Sequence, residues 1–227
     1  RDLHLSIRRQ RQMCIRDRYV GIKMPNLAQD QNVSPMARAQ SANKNLHAWP
    51  HRRPLMYRIF MPDASPAAIS VALPHGVSYC WDAGTCHLRY TWIGGFVDPM
   101  PVWKANGNGL AKIIGTRFWT GSKVFPFHKK TPSDFKPQFQ GYRKIDGHPE
   151  FHYTIGDIDI YERITALPSG MGLTRHFRIS DITYPLRITI ASKNTKVSKR
   201  KINEGVATLT SDEAQSFTVT HHHAHGK

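Results

Sequence analysis

The passage from residue 139 to 164 constrains this chain more than any other, because its turn residues leave room only for antiparallel hairpins. A β-type run over 139–145 ends at Asp146-Gly147, a pair suited to the left-handed backbone of a two-residue turn. The run 150–155 returns, Gly156-Asp157 turns the chain again, and 158–164 completes a three-strand meander. In that last run Ile158, Ile160 and Ile164 are interleaved with Asp159 and the charged Glu162 and Arg163. The expected strand therefore has one face in a core and one in water.

The same grammar extends in both directions. Upstream, runs over 55–61, 68–73, 77–81 and 87–92 are punctuated by Pro62-Asp63, Pro74-His75-Gly76 and Asp82-Ala83-Gly84. Downstream, 173–179, 186–191, 206–209 and 217–220 read as further strands, with turns at Ser169-Gly170, Lys193-Asn194 and Glu204-Gly205. Only 110–114 has the look of a helical turn. Many short strands at this spacing predict an all-β antiparallel sandwich over residues 55–227, with a mutarotase-like supersandwich as a variant. Residues 19–54 are rich in Asn, Gln, Ala, Ser and Pro and have no useful period. They are expected to be a linker or the end of an upstream domain, part of a disordered N-terminal tail.

The first eighteen residues, RDLHLSIRRQRQMCIRDR, resemble, codon for codon, a translated sequencing adapter. On that reading they are artefactual, the true start lies upstream, and they are excluded from fold reasoning. Their six arginines and two aspartates account for four of the sixteen net positive charges, leaving +12 on residues 19–227. Cys14 belongs to the same stretch, so the fold has only Cys80 and Cys86, too few for a disulfide framework or a zinc site. No apolar run reaches the length of a membrane span.

Few residues point to chemistry. Cys80, Cys86 and His87 are spaced C-x5-C-H, whereas covalent haem attachment needs C-x-x-C-H, so no haem is expected on them. Two readings stay open for the cysteines: a Cys80–Cys86 disulfide, worth about 2 kcal/mol by loop entropy, or two free thiols packed as small apolar groups. Tyr90, Trp92, Phe96, Trp103, Phe118 and Trp119 bracket Gly94-Gly95 and Asn106-Gly107-Asn108-Gly109. Flat apolar faces beside glycine loops suit a sugar ring, which makes Trp92, Trp103, Asp82, Asp98 and Asn106 the candidate ligand-binding residues. The competing reading of these aromatics is core filling. Asp82 and Asp98 do not make an acid–base pair, and no catalytic residue is assigned. The basic run 193–201 has no interleaved aromatics, so it reads as a solvated, edge-protecting hairpin rather than a nucleic-acid site. His221, His222, His223 and His225 read as a surface tail, with no metal site assigned.

Three blocks carry a resemblance: YRIFMPDASPAAISVALPHGVSYCWDAGTCHLRYTWIGGFVD (57–98), VWKANGNGLAKIIG (102–115) and FQGYRKIDGHPEFHYTIGDIDIYERI (139–164). Over residues 57 to about 220 the chain resembles the C-terminal β module of large exported c-type cytochromes of planctomycete, verrucomicrobial and bacteroidete bacteria, often joined to sugar-dehydrogenase-like propellers. Gly21-Ile22-Lys23-Met24-Pro25 is similar to an axial-methionine loop ending a cytochrome domain. The resemblance implies a periplasmic or extracellular protein, with haem c in an upstream domain and no cofactor in this part. It further implies a non-catalytic module that docks or presents substrate, with the upstream haem or propeller domain as partner. Carbohydrate binding is the first alternative function and nucleic-acid binding the second.

Overall fold

The computed structural model describes residues 46–104, 109–131, 135–190, 194–198 and 200–223. The 1–18 stretch and residues 19–45 of the expected linker lie outside the described residues. The rest is an all-β antiparallel sandwich. The meander forms as expected: β9 (Pro137–Ile145), β10 (His148–Ile155) and β11 (Ile158–Ala166) are consecutive antiparallel neighbours. Asp146 and Gly147 both take positive φ, 51° and 78°, the backbone that matches the twist of two paired strands. Gly156 does the same at the second turn with φ 61°.

A larger sheet continues from the meander through β12 (Gly172–Ile179) and β16 (Ser216–His222) to β14 (Thr195–Val197) at its edge. Facing it is a second sheet in the order β1 (Leu55–Arg58), β2 (Ala68–Ala72), β3 (Val77–Asp82), β4 (His87–Ile93), β7 (Thr116–Thr120). A small third sheet, β15 (Val206–Leu209), β13 (Leu186–Thr189) and β8 (Phe127–His128), adds Phe127, Leu186, Ile188 and Leu209 to the same core. The two large sheets meet where Trp81 stacks on Phe151, ring centroids 4.0 Å apart and planes 2° from parallel.

The central strands of the five-stranded sheet are buried on both faces. Every residue of β2 and β3 is buried. The second face of that sheet lies under a layer made by residues 46–50, 94–104 and 109–115. That layer includes β5 (Val97–Asp98) paired with β6 (Lys112–Ile113), and α1 (Met100–Lys104). A bulge apportions the aromatics: Cys80 pairs with Tyr90 but Trp81 pairs with Leu88, so Arg89 is the extra residue. The bulge switches the alternation of β4, sending Leu88 into the inner core and Tyr90 with Trp92 into the outer layer.

Three expectations change. Packing begins before residue 55, because His47 and Ala48 are buried and the Ala48 carbonyl accepts from the Phe96 N–H at 2.6 Å. Residues 110–114 hold β6 rather than a helical turn. Another short helix, α2 (Ser211–Ala214), begins at a capping box formed by Thr210 and Glu213, a pattern visible in the sequence.

Candidate functional site

The candidate ligand residues are brought partly together, and none forms an open platform. Trp92 is fully enclosed; its indole N–H is shared between the carbonyls of Gly95 at 3.0 Å and Phe96 at 3.1 Å. Gly115 lets the chain cross beside it. At φ 137° a Cβ there would sit 2.1 Å from the Ile93 carbonyl oxygen, so only glycine fits. Trp103, half-buried on α1, meets His47 edge-on at 4.7 Å, and the His47 Nδ1 bonds to the Tyr57 hydroxyl. Tyr57 in turn touches Phe96, which stacks parallel to Trp92. Trp92 and Trp103 therefore share one aromatic layer, but its rings are spent on each other.

The two acids serve separate turns. Asp98 accepts from the Met100 N–H at 3.0 Å and starts α1. Asp82 accepts from the Ser65 and Gly84 N–H groups at 2.8 and 2.9 Å and from the Ser65 hydroxyl. Burial opposes its ionisation, but those hydrogen bonds outweigh it and hold the carboxyl below its usual range. Asn106 lies outside the described residues. Cys80 and Cys86 are free thiols in different clusters, Cys80 in the outer layer and Cys86 in the inner core. Burial pushes both thiols up to about 12, which makes them unreactive as nucleophiles.

The polar cluster lies instead inside the sandwich. Glu162, expected to help form the wet face of its strand, is completely buried. It accepts from Arg175 Nε at 2.6 Å, from the Trp81 indole N–H at 3.1 Å and from the Tyr153 hydroxyl at 3.3 Å. The pair lies on adjacent strands of the six-stranded sheet, with Trp81 reaching it from the facing sheet, and sits where an ion pair gains little over an apolar filling. The signal was present: strict period two from Ile158 and Ile160 runs through Glu162 to Ile164, and Leu173 and Phe177 flank Arg175 in the same way.

Next to this pair is a cavity of about 20 Å³ lined by His87, Trp119, Ser122, Arg175, Thr189 and His221, among others. His221 is not in a surface tail: it belongs to β16 and is 2 % exposed. Its Nδ1 bonds to the Thr195 hydroxyl at 2.9 Å while its Nε2 has no hydrogen-bond partner. Arg175 Nη2 and the Trp119 indole nitrogen are unpartnered as well. Burial, then the charge of Arg175, pulls His221 well below the ordinary imidazole range. His87 is also lowered by burial. Its Nδ1 lies 2.9 Å from the Thr85 carbonyl, and its Nε2 lies 3.0 Å from both the Ser122 carbonyl and the Arg89 guanidinium.

On the outside, an open concavity of about 530 Å³ is lined by Pro62, Leu110, Ala111, Lys112, Ile113 and Arg117. Arg117 lies over the Tyr90 ring at 3.9 Å and pairs with Asp63 at 2.8 Å. The basic run contributes the edge strand β14 with Lys196 exposed, and Arg200 pairs with Glu213 at 2.7 Å. Lys193, Lys199 and His225 lie outside the described residues. Among the described residues no helix is long and apolar enough to cross a membrane.

Fold and site together define an antiparallel β-sandwich with a charged knot and a small polar cavity in its core. No protein-family model, no curated protein and no solved structure matches the chain.

Proposed function

We propose that residues 46–223 form a non-catalytic docking module of a larger exported, haem-bearing oxidoreductase, seated against a preceding domain of the same chain. The observation that carries this reading is the way the chain enters the sandwich. Residues 46–50 are not a tether: His47 and Ala48 are buried in the outer layer and bonded to Tyr57 and Phe96. Immediately after them Trp49 is 56 % exposed. A rigid lead-in fixes where the preceding domain sits, and an exposed indole at that point is the type of side chain on which domain contacts are anchored. The three sequence blocks supply the haem-protein context, and with it an extracytoplasmic location and haem c in the preceding domain.

Sugar binding through Trp92 and Trp103 has less support, since a ligand could reach the Trp92 face only by lifting the outer layer away. The test is to express the longer reading frame. We expect a C-x-x-C-H upstream, a Soret band, and protection of Trp49 from acrylamide quenching relative to the 227-residue chain. A longer protein without that motif, or with Trp49 equally accessible, overturns the proposal.

A further inference from the structure

We propose that the solvent face of the six-stranded sheet binds single-stranded nucleic acid, taking a base beside His152 and phosphates on Arg143, Arg163 and Arg178. The register sets two neighbouring rows of side chains across this face. One runs Gly141, His152, Tyr161, Arg178 and the next runs Arg143, Glu150, Arg163, His176. The rows are two residues apart along each strand, about 7 Å, a distance comparable with the reach from a nucleobase to its own phosphate. The first row is a stack with one end open. The Tyr161 ring lies against His152, centroids 4.6 Å apart and planes 9° from parallel, and the Arg178 guanidinium lies 4.6 Å from its centroid, from the strand on the other side. Asp159 holds the imidazole by Nε2. The remaining imidazole face looks toward Gly141, where a Cβ would meet nothing within 4 Å. The flanking side chains of β9 are anchored elsewhere, Gln140 on Thr154 and Arg143 on Glu150. Because β9 is the outermost strand, a planar ring can enter from the sheet edge and stack on His152.

The second row supplies the charge. Glu150 is shared between Arg143 at 2.7 Å and Arg178 at 3.3 Å, and Arg163 stands beside it with no ion pair among the described residues. Three guanidinium groups thus surround one carboxylate. The side chains of Arg143 and Arg178 are 63 % and 57 % exposed, so donors not spent on Glu150 are open to an anion from solvent. Asp159, the other acid on this face, lies beyond the ring row, away from the arginines. A chain of phosphates bearing flat bases matches both rows, whereas an acidic polypeptide matches only the second. In a duplex the bases are already stacked and cannot enter the gap at Gly141.

The experiment is fluorescence anisotropy of the full chain with two labelled probes of equal length, oligo(dT) and its abasic counterpart, over a range of salt. We expect oligo(dT) to bind about tenfold more tightly than the abasic strand, the scale of one stacked base. His152→Ala should close that gap, because it removes the ring and leaves the arginines in place. Arg163→Gln should weaken both probes and lower the slope of log affinity against log salt by about 0.7, one phosphate contact on a single strand. Lys201→Gln removes the same charge from the basic run, off this face, and should do less to both probes. The three side chains are half-buried or exposed, so the variants should fold, which the melting temperature checks. Equal affinity for the two probes, or a gap that survives His152→Ala, would overturn the proposal. So would an Arg163→Gln effect no larger than that of Lys201→Gln, or no binding at low salt. Poly-glutamate binding that needs both His152 and Arg163 would assign the face to an acidic protein and overturn it as well.

Discussion

The two buried faces of the five-stranded sheet are finished in different ways. On the outer face, the aromatic layer around Trp92 closes on itself, and its one enclosed indole N–H meets two carbonyls. What it leaves unpartnered are the hydroxyls of Ser70 and Ser78, small neutral groups. On the inner face a full ion pair is buried, and a guanidinium nitrogen, an imidazole nitrogen and an indole nitrogen are left without partners. An outer layer of that kind is a cover that makes the sheet stable. An inner core of this kind carries a cost that apolar packing would avoid.

The sharpest way to break this contrast is Glu162→Ala. It leaves Arg175 charged and buried, and should cost about 3–5 kcal/mol in chemical denaturation. Replacing both partners, Glu162→Leu with Arg175→Met, should restore most of that loss. If Glu162→Ala is no worse than an average core change, the knot is not the special feature. Trp92→Phe tests the outer face more gently. It keeps a ring and strands the Gly95 carbonyl, while the Phe96 carbonyl keeps its bond from the Ile114 N–H, so we expect a loss of about 1–2 kcal/mol. A loss as large as that of Glu162→Ala would erase the distinction between the faces.

Acidity should reveal the same asymmetry. His87, His176 and His221 are each held below the ordinary imidazole range by burial first, with nearby cations adding to it. The unfolded chain therefore takes up protons first as pH falls. Their contribution is fully present above about pH 6.5 and is lost below it, at up to about 1.4 kcal/mol per pH unit for each ring kept neutral. His221→Asn should flatten that slope more than His176→Asn, since His176 lies on the sheet's outer surface beside Thr165. At the reagent scale, Cys80 and Cys86 should resist thiol labelling in the native protein and react on unfolding. The smallest change of all is expected for Arg200→Ala, which removes a pair with the exposed carboxylate of Glu213 and should barely move the melting temperature.

Much of the fold is legible in the residue pattern. The turns at Asp146-Gly147 and Gly156-Asp157 fix the meander because few residue pairs accept those backbone angles. The eight other predicted runs from 55 onward each overlap a strand, apart from small end shifts. Short pieces such as β5, β6 and β8 were not legible, since two residues carry no period. The site was harder to see. Trp92 and Trp103 attract attention by type, yet type does not say whether a ring faces a ligand or another ring. Glu162 and Arg175 looked like ordinary strand charges until their parity with Ile160, Ile164, Leu173 and Phe177 was read strictly.

By itself, then, the sequence determined the class of fold: alternation and turn chemistry are local, and local rules suffice to make antiparallel strands. Tertiary structure decided which face each strand presents and what it meets there. The Arg89 bulge sends Trp92 outward and Leu88 inward, and only the closing of two sheets brings Trp81, Tyr153, Glu162 and Arg175 to one point. Those residues are up to 94 positions apart in the chain. Packing between sheets is a long-range fact, and no local periodicity encodes it.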